Sequence, residues 1–171
     1  SARVHEDDVW RRARRQVDTR KPDNARLTWS WLPADSAPPA AQVEQALKSS
    51  AAWLDRLPPN FAVTRAGREL VLAALTRVAR ADPRAAYTRL LSVQDRLGAE
   101  ERSHIHGVIA MHAAIEQLPE ALDLYRAASA TELSPLQRAW RVRAALRALD
   151  WNAVRSAIEA MPEGCVAVVD A

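Results

Sequence analysis

Only one cysteine, Cys165, occurs in the 171 residues, so no internal disulfide can form. It follows the last helix pattern, with neither a helix start nor a nearby histidine to lower its thiol pKa, and nucleophilic thiol chemistry is not expected. Glycine is equally scarce: Gly67, Gly98, Gly107 and Gly164 are isolated, which excludes a glycine-rich loop that cradles phosphate. There is one phenylalanine and no alternating run of β-branched residues outside the last few positions, so strand signals are nearly absent. No stretch is apolar enough to span a bilayer. No signal peptide precedes the first helix pattern, so location is not readable from the N-terminus.

Lysine is also rare, with only Lys21 and Lys48 among 24 basic residues and a net charge of +3. That bias reads as genome composition. The cluster Arg11, Arg12, Arg14 and Arg15 has the look of a nucleic-acid patch, but Glu6, Asp7, Asp8 and Asp18 flank it on the same short helix. A solvated helix face is the ordinary reading, and no nucleic-acid partner is expected.

What is present is helix punctuated by ten prolines. The clearest unit runs from Leu133 to Pro162. Ser134, Pro135 and Gln137 combine a hydroxyl cap, a proline at the first helical position and a capping-box amide. The helix that follows carries two apolar stripes: Ala139, Val142, Leu146 and Leu149 on one, Trp140, Ala144 and Ala148 on the other. Apolar residues on two sides predict a helix packed between neighbours. Its partner, Trp151 to Met161, places Trp151, Val154, Ile158 and Met161 on one stripe, and Pro162 and Gly164 end it. If Trp140 and Trp151 are wedges in a core, truncating either to alanine costs about 3–5 kcal/mol.

Upstream units read as earlier copies. Helices are expected over Asp7–Thr19, Asp23–Leu32 and Pro39–Ser49, with the loop-like stretch 34–39 an irregular join, and a short turn carries Trp53 and Leu54. Thr64 caps a two-faced helix over Arg65–Ala81, and Asp82-Pro83 opens the next, which Gly98 stops. Ala99–Gln117 follows, burying Ile105, Val108, Ile109, His112 and Ile115, and a further helix opens at Pro119. Second helices of the hairpins, starting at Pro83, Pro119 and Trp151, recur at about 34 residues, the spacing of tetratricopeptide-like hairpins. The fold expected is all-α, a right-handed α-superhelix or solenoid of irregular hairpins. It forms one domain over residues 1–162 with a tail at 163–171.

Candidate chemistry is thin. His104 and His106 fall on different sides of a helix and His112 lies in an apolar stripe, so no pair has metal-ligand spacing. Glu100 with Glu101, or Glu116 with Glu120, are the carboxylate pairs able in principle to work on a glycosidic bond. The first marks a helix start and the second straddles a turn, both ordinary places for solvated charge. Six tryptophans, at 10, 29, 31, 53, 140 and 151, suit either sugar-stacking surfaces or wedges between alanine-rich helices, and core packing is the commoner role. The sequence assigns no residue to catalysis, cofactor, metal or ligand.

The stretch 133–162, with Ala-Trp-Arg-Val-Arg-Ala-Ala-Leu-Arg, Asp-Trp-Asn-Ala-Val and Ile-Glu-Ala-Met-Pro, resembles the superhelical, non-catalytic U-type region of soluble lytic murein transglycosylases. The stretches 66–71 and 119–125 share that resemblance, which covers roughly residues 7–162. It implies a periplasmic scaffold that supports glycan-strand binding and cell-wall turnover, with peptidoglycan or a separate lysozyme-like catalytic domain as partner. In that family a glutamate in a Glu-Ser motif cleaves the glycan to a 1,6-anhydro product. Here no glutamate precedes a serine, and the Gly-Leu-Met-Gln and Ala-Tyr-Asn-Ala-Gly stretches are missing, so no catalytic role carries over. After Pro162 the family continues into another helix, whereas this chain reads EGCVAVVDA. The other reading is a helical-repeat adaptor that binds a protein or peptide.

Overall fold

The computed structural model describes residues 5–162, and within them every regular element is helical. Cys165, Gly164 and the expected tail fall outside the described residues. Ten α-helices follow in order: α1 (Glu6–Asp18), α2 (Pro22–Trp29), α3 (Ala40–Lys48), α4 (Ser50–Leu54), α5 (Arg65–Ala81), α6 (Pro83–Val93), α7 (Ala99–Ile115), α8 (Ala121–Arg126), α9 (Pro135–Arg147) and α10 (Trp151–Glu159). Short 3-10 turns occupy Phe61–Val63 and Gln94–Arg96.

Side chains fix half of the helix starts. The Thr64 hydroxyl accepts the Gly67 N–H, the Asp82 carboxylate accepts the Ala85 N–H at 2.9 Å, and the Asp150 carboxylate accepts the Ala153 N–H at 2.9 Å. Ser134 and Gln137 form the reciprocal capping box that the sequence announces. Gly98 opens α7 as well as following the previous helix: its N–H donates to the Glu101 carboxylate at 2.8 Å. Pro119 lies in a turn, and α8 begins two residues later at Ala121.

Three hairpin turns close without glycine. Arg20, Gln117 and Leu149 take left-handed φ values of 62°, 62° and 54°. In each case the next N–H reaches back across the turn, from Lys21 to Gln16, Leu118 to Ala113 and Asp150 to Ala145. These are Schellman closures, in which a non-glycine residue accepts a left-handed backbone to satisfy the last carbonyls. One turn geometry thus serves α1–α2, α7–α8 and α9–α10.

Helix α5 is the hub, packing against α1, α3, α4, α6 and α7, while α7 goes on to contact α8 and α9. Its central run from Leu70 to Thr76 is buried on all sides, as a helix apolar on two faces requires. The expected faces of α9 and α10 are only partly realised. Ala139 and Val142 are buried, but Leu146 is 37% and Leu149 71% exposed; Ala144 is buried, but Ala148 is exposed. On α10 the buried residues are Val154 and Ala157, with Trp151 65% and Ile158 42% exposed. The reason is positional: α10 packs mainly on α9, with no further hairpin among the described residues to cover its outer side. Ile115, expected in the core of α7, is likewise 41% exposed at that helix's end.

Gly67 marks the closest approach of the 58–64 loop to α5. A Cβ there would fall on the carbonyl oxygen of Phe61, a backbone atom that cannot rotate away. Gly67→Ala is therefore expected to destabilise the protein by about 3 kcal/mol through forced displacement of that loop. A thermal midpoint equal to that of the unaltered chain would show that the approach is not tight.

Candidate functional site

On α3 Gln42 and Gln45 lie three residues apart and so share one helix face, and Ser49 follows at the helix C-cap. The buried face of α3 belongs to Val43, Ala46 and Leu47, which leaves the amides exposed. Opposite them runs the loop at residues 58–64, anchored by buried Phe61, on whose ring Arg96 is centred at 5.5 Å. Between the two lies a cleft of about 610 Å³, lined among others by Gln42, Gln45, Trp53, Arg56 and Asn60. Trp53 is half-buried, so part of its ring forms wall while its other side packs on the core.

A second cleft of about 550 Å³ adjoins the first across Gln42, Thr64 and Gly67, which line both. Its walls are α1, the 34–39 loop and the start of α5, with Glu6, Asp35 and Arg65 as charged groups. The loop that the sequence marks as an irregular join thus forms a wall of the groove. Together the two clefts form a groove offering neutral amides, a tryptophan face and a few guanidinium groups. Such a surface can hydrogen-bond hydroxyl and acetamido groups and stack on an apolar ring face.

An ion-pair network, one member of which is the groove-lining Arg65, holds α1, α5 and α7 together. Arg14 donates from Nε and Nη2 to the two oxygens of Glu69 at 3.1 and 2.6 Å, and from Nη1 to Glu100 at 3.2 Å. Burial opposes the charge on Arg14, but hydrogen bonding and attraction from Glu69, with help from Glu100, raise its pKa above the usual arginine value. Arg65 pairs with Asp7, and Arg68 donates to both oxygens of Glu101 at 3.0 and 3.2 Å. Arg14 is therefore a half-buried structural cation and no part of a solvated face. Arg11, Arg12 and Arg15 remain exposed, and Arg12 lies 5.3 Å from the ring centre of exposed Trp31.

The carboxylate pairs are thus separated by their partners. Glu101 caps α7 and grips Arg68, while Glu100 reaches Arg14. Glu120 is bound by Arg84, whose hydrogen bond holds the carboxyl below its usual pKa. A group held ionised in this way is poorly suited to donate a proton as a general acid. Glu116 lies exposed just before the left-handed turn.

The histidines also disperse. His104 Nε2 lies 3.6 Å from Asp18 Oδ1, and neither atom has a hydrogen-bond partner. His112 is buried, and burial, then the positive charges of Arg80 and Arg20, push its pKa down to about 4, so it is neutral near pH 7. His106 is buried edge-on to Tyr87, its pKa lowered by burial and by Arg102. Among the described residues no three or more His, Cys, Asp or Glu side chains converge as a metal site. Of the tryptophans, Trp10 and Trp29 are core, Trp53 and Trp140 half-buried, and Trp31 and Trp151 exposed.

The sequence reading missed Gln42, Gln45 and Asn60, although the amide spacing on α3 was there to be read. No family model matches the chain, and no curated protein or solved structure matches it either.

Proposed function

We propose that this chain is a non-catalytic glycan-binding scaffold, and that the groove along α3 and the start of α5 receives a peptidoglycan glycan strand. The observation that carries the reading is the groove itself, with amides facing a half-buried Trp53. Acetamido sugars present the matching chemistry: amide and hydroxyl partners on their edges and an apolar face for an aromatic ring. The resemblance of residues 133–162 to the superhelical region of soluble lytic murein transglycosylases supports the same ligand class, a periplasmic location and a lysozyme-like catalytic domain as partner. We further propose that the hairpins stack as a right-handed superhelix; in support, α1, α5, α7 and α9 pack one against the next.

The test is a sacculus pull-down with the purified chain, scored for retained protein and for released 1,6-anhydro muropeptides. Retention without release is expected, and Trp53→Ala, which removes the stacking face, should weaken retention about tenfold, equivalent to 1.4 kcal/mol. Loss of stacking is read against Trp31→Ala, an exposed tryptophan outside the groove, which should bind normally. No retention would overturn the proposal. The second reading, a protein-binding helical repeat, is favoured by the exposed Leu149, Trp151 and Ile158 on the last hairpin. It predicts that Trp151→Ala abolishes partner capture while sacculus binding is absent throughout.

A further inference from the structure

A smaller cleft on the opposite half of the molecule has a different chemistry. It measures about 180 Å³ and lies where the end of α7, the start of α8 and the end of α9 converge. Its floor and walls are apolar, with Ala114, Leu118, Leu122 and Ala144 among them. Two cations reach it, Arg143 and Arg147, one helical turn apart on α9. Neither has an acidic partner among the described residues. Arg143 is also pre-oriented, its guanidinium lying 4.9 Å from the ring centre of half-buried Trp140.

Two guanidinium groups over an apolar floor suit a ligand that is anionic at one end and small and apolar beside it. We propose that this cleft binds the C-terminal carboxylate of a peptide, with the terminal residue's small apolar side chain seated between Leu118, Leu122 and Ala144. A planar carboxylate can take paired N–H donors from a guanidinium, and the stacked Arg143 loses little freedom on engaging it. A phosphate has more oxygens to satisfy, and among the lining side chains only the Gln117 amide joins the two arginines as a donor. The site is separate from the glycan groove and stands whether or not that groove binds sugar.

The experiment is an amide-resolved NMR titration of the chain with N-acetyl-Ala-Ala, its C-terminal amide and inorganic phosphate. The free acid should shift the backbone amides of Ala114, Leu118, Ala144 and Ala148 in the millimolar range, with the C-terminal amide at least tenfold weaker. Arg147→Gln, at an exposed position that does not disturb the core, should weaken the acid at least tenfold and leave the spectrum elsewhere unchanged. Equal binding of acid and amide, tighter binding of phosphate at the same resonances, or no shifts up to about 20 mM, weaker than any specific site warrants, would each overturn the proposal.

Discussion

Trp10→Ala should lower the unfolding free energy by about 3–5 kcal/mol, whereas Trp151→Ala should change it by no more than about 0.5 kcal/mol. The two residues have the same side chain and both lie on amphipathic helices. Trp10 is 1% exposed, packed in the core cluster with Arg65 centred 5.5 Å from its ring, so truncation leaves a cavity where α1 meets α5. Trp151 is 65% exposed, and its removal uncovers little that water does not already reach. Urea unfolding midpoints at constant slope measure both. Comparable losses for the two variants would mean that the outer side of α10 is covered in solution.

The second large effect concerns Glu69. Its side chain is 2% exposed and holds Arg14 through two hydrogen bonds, so Glu69→Ala strands the guanidinium of a side chain that is itself only 12% exposed. Breaking a buried pair from one side costs about 3–5 kcal/mol, because the remaining charge has lost its partner but not its burial. Glu100 remains 3.2 Å from Arg14, yet at 63% exposure its attraction is screened by water and replaces little of the loss. The double variant Arg14→Met with Glu69→Leu should therefore be more stable than Glu69→Ala alone. A double-mutant cycle built from Arg14→Met, Glu69→Leu and the two together, followed by chemical denaturation, measures the coupling, and additive losses would show that the pair is not coupled.

Local signals reached far. The Thr64, Asp82 and Ser134 caps were legible because a cap is a contact between residues three apart, and three residues of sequence contain it. Helix α5 emerged with the expected ends, Arg65 and Ala81, for the same reason. Faces were less secure. The α9 stripe through Leu146 and Leu149 and the α10 stripe through Trp151 and Ile158 are periodic, yet their outer members are exposed. Periodicity shows which residues share a face, not whether another helix covers it.

The candidate site was less legible still. Gln42 and Gln45 share a face of α3, but the wall opposite is a loop whose approach depends on a Cβ missing at Gly67. Arg14 looked like one charge in a basic run until Glu69, far along the chain, closed on it. The sequence by itself determined the all-helical class and the capped starts at Thr64, Asp82 and Ser134, because hydrogen bonds between near neighbours carry that information, while Ser50–Leu54 forms a short helix where a turn is expected and α8 starts at Ala121 where Pro119 is expected. Only the tertiary structure decided which tryptophans are core, which arginines are paired across helices and where the clefts open, because those outcomes depend on contacts between segments that no short window contains.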